Sequence, residues 1–206
     1  MTATLRERVF YRAFGVDDVL RPLLHPGARV LDVGSSDGSG SALLVDRRVD
    51  AVDIHGPSLD AARTAGVRGV CVQADMMQLP FANGSYDVVT ALDVIEHLPK
   101  DRGSVLLAEL ERVCRSHLVV MTPYGFVEQP PGPGQPWMEH LSGWWPDDFR
   151  ALGYEVRGTG GVRFARGAYS AFRWGPLGKA VGLATVPMAR HLPATAYHIV
   201  AIKRAG

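Results

Sequence analysis

Cysteine is scarce in this sequence: its 206 residues include only two, Cys71 and Cys114, and neither has a Cys-x-x-Cys partner. A zinc site of the usual spacing is therefore not expected, no metal is read from the sequence, and both cysteines default to small buried apolar residues. Charge of one sign is also lacking. Twenty-two Lys and Arg face 21 Asp and Glu, a formal net charge of +1, and the arginines are scattered. No global field draws nucleic acid or an anionic membrane, so neither is expected as a partner. No apolar run reaches transmembrane length without a charge or proline. Residues 1–25 alternate charged and apolar positions and lack a signal-peptide core. No internal repeat is visible. These absences predict a cytoplasmic protein with no integral membrane segment. With 47% hydrophobic and 21% charged residues, the length suits one domain with a sizeable core.

What is present starts with the stretch from Arg29 to Gly40. Val30, Leu31 and Val33 read as a buried parallel strand, Gly34 to Gly40 as a small-residue loop, and Ala42 to Val45 as the start of a helix. Strand, glycine-rich turn and helix together present backbone N–H groups to a nucleotide-like ligand. Gly34 permits a tight turn and Gly38 a close helix–strand approach. Asp53 ends the next apolar run, about 20 positions on, where an acid accepts hydrogen bonds from ribose hydroxyls.

Four segments then resemble, in order and spacing, the motifs of class I S-adenosylmethionine-dependent methyltransferases. They are Val30-Leu31-Asp32-Val33-Gly34 with Gly38; Ala51-Val52-Asp53-Ile54; Ala74-Asp75-Met76; and Tyr86-Asp87-Val88-Val89 followed by Asp93-Val94-Ile95-Glu96-His97-Leu98. The resemblance covers about residues 28–123, with one departure: Ser36 stands where the family has the middle glycine. It implies S-adenosylmethionine as cofactor, held by Asp32, Gly34, Ser35, Ser36, Gly38, Asp53, Ile54, Asp75, Met76 and Asp93. Asp75 is where the family bonds the adenine amine. The implied fold is α/β and Rossmann-like: a doubly wound, seven-stranded, mostly parallel sheet with an antiparallel last strand and helices on both faces. One domain is expected over 1–206, divided into an N-terminal helical lid (1–27), a cofactor core (28–123), a substrate loop and cap (124–195) and a final strand (196–206).

Along the chain, Thr4 to Glu7 reads as a capping box with an apolar stripe from Leu5 to Phe14, and Asp17 to Leu24 as a second helical piece. Tyr11, on the first, could touch the cofactor or simply pack. Further strands are predicted over 49–53, 69–73, 87–92, 117–121, 154–157 and 196–202. Helices are predicted over 59–65, with Ser58 as N-cap, over 101–113, and from Pro146 to a stop at Gly153. Residues 175–190 carry a moderately apolar helical pattern. Asp32, Asp53, Asp75 and Asp93 all fall near the carboxyl edge of such a sheet, where four acids suit a ligand carrying sulfonium and ammonium charges.

Residues 122–137 are too rich in proline and glycine for regular structure, and their aromatics suit a functional loop. Tyr124, Trp137, His140 and Trp144 are the candidate contacts to an acceptor, with one of the pair Trp144 and Trp145 expected merely to pack. His97 and His140 are the candidate catalytic bases, because histidine titrates near neutrality; His198 reads as structural. The leading function is methyl transfer to a small-molecule acceptor, at oxygen or nitrogen, by a monomer or homodimer. The alternatives are a non-catalytic binding or assembly protein that keeps the fold, or a methyltransferase acting on a macromolecule.

Overall fold

A computed structural model describes residues 15–38, 48–65, 69–132, 134–166 and 172–205. The expected N-terminal capping box, Tyr11 and the helix start at Ala42 to Val45 lie outside the described residues. Seven strands form one sheet: β1 (Val30–Val33), β2 (Val49–Asp53), β3 (Cys71–Gln73), β4 (Tyr86–Leu92), β5 (Cys114–Pro123), β6 (Glu155–Val162) and β7 (Ala196–Arg204). Their spatial order is β3-β2-β1-β4-β5-β7-β6. The first five pair in parallel, and β7 runs antiparallel to both β5 and β6. The helices among the described residues are α1 (Asp17–Leu20), α2 (Gly56–Ala65), α3 (Lys100–Val113), α4 (Pro146–Arg150), α5 (Pro176–Ala184) and α6 (Val186–His191). None is long and apolar enough to cross a membrane.

The period-2 geometry of strands explains why the central ones are apolar throughout. Leu31, Val33, Val89 and Ala91 face one core with Leu106, Leu110 and Val113 of α3. Val30, Val88, Val119 and Met121 face the other with Val16, Val19 and Leu20 at α1. All seven residues of β4 are buried, as both faces of a central strand require.

Several boundaries differ from expectation for local reasons. Ser58 lies inside α2 rather than capping it, with its Oγ 2.8 Å from Nδ1 of His55. Strand β6 runs on through Gly158-Thr159-Gly160-Gly161, past the predicted end at Arg157. A Cβ at Gly158 would lie 2.1 Å from the Ala189 carbonyl oxygen, and one at Gly161 2.1 Å from that of Gly182. The glycines let α5 and α6 lie directly on the strand, and a register shift between Thr159 and Val162 takes up the positive φ values there.

Trp144, expected to contact the acceptor, is instead a core residue at 2% exposure. Its ring lies against Phe149, its Nε1 donates to Ser142 Oγ at 3.0 Å, and Lys100 Nζ sits 3.7 Å from the ring centroid. Gly103 of α3 makes room for it, since a Cβ there would fall 2.3 Å from Trp144 Cζ2. Gly103→Ala therefore sets a helix-propensity gain of about 1 kcal/mol against overpacking of roughly 1–3 kcal/mol. With a rigid indole as the obstacle, overpacking is expected to win and the melting temperature to fall by several degrees. A higher melting temperature would show that the indole has room to move.

Candidate active site

The loop after β1 bends toward β2. Gly34 and Ser35 N–H both donate to the Val52 carbonyl, at 2.8 and 3.0 Å. Gly34 has φ +70°, and a Cβ there would meet Val94 at 2.5 Å, so glycine is required twice over. Ser36 also takes a left-handed conformation, φ +50°, in which glycine would sit without steric cost. Its N–H donates to Asp53 Oδ2 at 2.8 Å, while His55 N–H donates to Oδ1 at 2.8 Å. Each carboxylate oxygen keeps a lone pair for a further donor. Asp32 is buried and accepts from Thr90 Oγ1 at 2.8 Å, and Asp75 Oδ1 accepts the Met77 N–H at 2.8 Å.

At the end of β4 the chain turns sharply. Asp93 has φ +55°, a conformation that aspartate tolerates better than most residues, and its Oδ1 lies 3.3 Å from Nε2 of His198. A short 3₁₀ turn, Ile95–His97, follows. Glu96 is buried. Burial first, then the neighbouring Asp93 charge, raises its carboxyl well above the usual range, while Thr122 Oγ1 donates to Oε2 at 2.9 Å. The Glu96 carbonyl accepts N–H bonds from Leu141 (2.8 Å) and Ser142 (3.1 Å), which fastens the segment after β5 onto this turn. His140 is thereby held beside His97, ring centroids 4.9 Å apart.

Both imidazoles are pushed toward the neutral form, chiefly by burial. His97 Nδ1 lies 3.0 Å from the Glu139 carbonyl and His140 Nδ1 2.7 Å from that of Val127. Carbonyl oxygens only accept, so Nδ1 carries the proton in each ring and Nε2 keeps its lone pair.

These residues line one cavity of about 720 Å³. Its lining includes Asp32, Gly34, Ser35, Ser36, Asp53, Ile54, Asp75, Met76 and Asp93, together with His97, His140, Trp137 and Met138. Trp137 stacks at 4.5 Å on His55, so the proline-rich loop reaches back to the β2 side. Three expected residues are not in the wall: Gly38, Tyr124 and Trp144. Tyr124 is tied by its N–H to the Tyr197 carbonyl at 2.8 Å and lies under the Arg163 guanidinium. Glu96, Tyr197 and His198 are in the wall and were not anticipated. The antiparallel direction of β7 accounts for the last two, because it brings the start of that strand beside Pro123 at the carboxyl edge.

The donor set fits an S-adenosylmethionine-type ligand. Five carboxyl groups, those of Asp32, Asp53, Asp75, Asp93 and Glu96, face one cavity, and Ser35 Oγ is buried there without a partner among the described residues. Fold and site together define a class I S-adenosylmethionine-dependent methyltransferase domain. Residues 31–120 match the methyltransferase domain family. A ubiquinone biosynthesis O-methyltransferase of Bordetella parapertussis is 37% identical over 90 residues, 40% of this chain and 36% of that protein. Cycloartenol-C-24-methyltransferase 1 of Oryza sativa is 33% identical over 89 residues, 38% of this chain and 25% of that protein. The matches thus span about a third or less of these curated relatives. The crystal structure of magnesium protoporphyrin IX methyltransferase from Synechocystis, with bound S-adenosylmethionine, superposes with a TM-score of 0.58 at 18% identity, covering 100% of this chain and 85% of that one. At that identity the likeness is one of fold. S-adenosylmethionine is the cofactor that domain and site imply.

The left-handed Ser36 generates a test. Ser36→Gly should leave the melting temperature within a few degrees and the affinity for S-adenosylhomocysteine within a few-fold, because relief of strain and added unfolded-state entropy offset one another. Ser36→Val should destabilise the fold by about 1–2 kcal/mol or more and weaken binding, since β-branched residues resist positive φ. Thermal melts and calorimetry check both. A fully tolerated valine would show that the loop is not held in this conformation.

Proposed function

We propose that the protein transfers a methyl group from S-adenosylmethionine to a small-molecule acceptor, at oxygen or nitrogen. One observation carries this reading: a single cavity is lined by four aspartates at the sheet's carboxyl edge and by two histidines that burial pushes toward the neutral form. When bound, the cofactor supplies a methyl group activated by its sulfonium charge. The task left to the chain is to hold, orient and exclude water.

In this reading Asp53 accepts hydrogen bonds from the ribose hydroxyls, Asp75 binds the adenine amine, and Asp32 and Asp93 offset the cationic end. Ser35 and the positive-φ loop line the cofactor's path. Trp137, Met138 and Leu98 present apolar surface to the acceptor and displace water. Nε2 of His97 or of His140 is free to take the proton of an acceptor hydroxyl. The likeness to a relative named for O-methylation in ubiquinone biosynthesis supports an oxygen acceptor.

Asp53→Ala should weaken binding of S-adenosylmethionine at least tenfold by calorimetry, since charged hydrogen bonds are worth roughly 1.5–3 kcal/mol each. Unchanged affinity would remove Asp53 from the site. On an acceptor found with labelled cofactor, His140→Ala should lower turnover by about 100-fold or more, within the range of general-base catalysis, at unchanged cofactor affinity. Equal turnover would take His140 out of the chemistry.

A further inference from the structure

We propose that Glu96, His97 and His140 form a divalent transition-metal site at the acceptor side of the cavity. One ligand atom from each lies within 4.8 Å of the other two. Two imidazoles and one carboxylate are a ligand set used for catalytic Zn²⁺, and with open positions for Fe²⁺ or Mn²⁺.

The surroundings of each ligand support the assignment. A metal-bound histidine commonly donates its other ring N–H to a backbone carbonyl, which fixes the tautomer and aims the lone pair. Both histidines do this, His97 to Glu139 and His140 to Val127, at 3.0 and 2.7 Å. The carboxylate shows the matching asymmetry. Oε2 of Glu96 accepts from Thr122 Oγ1, while Oε1 is buried with no partner among the described residues. A buried carboxylate oxygen left without a donor is costly, and a cation satisfies it.

The three ligands also come from segments that are fastened together. His97 follows Glu96 directly, and His140 is held by the two N–H bonds from Leu141 and Ser142 to the Glu96 carbonyl and by its own N–H bond to Gln129, at 3.0 Å. Tetrahedral ligands at about 2.1 Å from a metal stand ~3.4 Å apart, so the side chains need to close by up to about 1.4 Å from the 4.8 Å limit. All three line the cavity, which leaves the open coordination positions facing the acceptor. If the methyl-transfer reading holds, the metal would take the place of the histidine base: an acceptor hydroxyl bound there would be oriented and would lose its proton to solvent more readily. Metal binding itself does not depend on that reading.

The test uses the full chain freed of metal by chelation and titrated with Co²⁺. The expected result is one equivalent bound, seen as a visible ligand-field band with nitrogen coordination, and displaced by Zn²⁺. Glu96→Gln and His140→Ala should each weaken Co²⁺ at least about 100-fold, and Thr122→Val about tenfold or more, as removal of an orienting partner does. Retained binding of S-adenosylhomocysteine serves as the folding control. Should the variants fail to fold, the unaltered protein still decides: the ring protons of His97 and His140, and of no other histidine pair, should show paramagnetic shifts with Co²⁺. No stoichiometric band, shifts at other histidines, or undiminished affinity in a folded Glu96→Gln would overturn the proposal, whether or not methyl transfer is observed.

Discussion

The carbonyl oxygen of Glu96 is the joint on which the candidate site depends. It accepts two N–H groups, from Leu141 and Ser142, across 45 and 46 positions of sequence (141 − 96 and 142 − 96). With the His97 Nδ1–H bond to the Glu139 carbonyl, that joint fixes the proline-rich segment after β5 against the turn after β4. With it, His140 stands against His97 and Ser142 receives the indole N–H of Trp144. The indole is in turn seated over Gly103 of α3. The loop is thus anchored at its far end by a core tryptophan and at its near end by continuation of β5, through the Tyr124 bond to Tyr197.

Sheet topology supplies the other half of the site. Parallel strands place Asp32, Asp53 and Asp93 along one edge, because each lies in or just past the carboxyl-terminal end of its strand. The reversed β7 then adds His198 at the same edge, 3.3 Å from Asp93. The cavity is thus lined by carboxylates and imidazoles together. Such a lining suits a cationic ligand beside a neutral or metal-bound acceptor.

Much of this was legible in the sequence. The strands carrying the four motifs could be placed because their apolar runs end in acids and glycines, whose roles are local. Asp53 belongs to that class, as does the requirement for glycine at position 34. What escaped depends on distant pairing. Trp144 and Tyr124 read as acceptor contacts because aromatic content says nothing about which ring a glycine on another helix will accommodate. His198 read as structural because the antiparallel direction expected of the last strand does not say which of its residues will face Asp93. Glu96 was visible in the string Asp93-Val94-Ile95-Glu96-His97, but its buried, half-satisfied carboxylate appears only once His140 is brought beside it. The extension of β6 through its glycines escaped for the same reason: their close approach to Ala189 and Gly182 is tertiary.

The central claim is that the glycine-loop wall and the loop after β5 form one site, joined at Glu96. Hydrogen–deuterium exchange with and without S-adenosylhomocysteine tests it directly. Peptides covering 34–36, 53–54 and 93–98 should gain protection together with those covering 135–142, because the Leu141 and Ser142 amides are bonded to the Glu96 carbonyl in the turn after β4. Protection of the first three with 135–142 unchanged would contradict a single joined site, and no protection in any of them would contradict the site altogether.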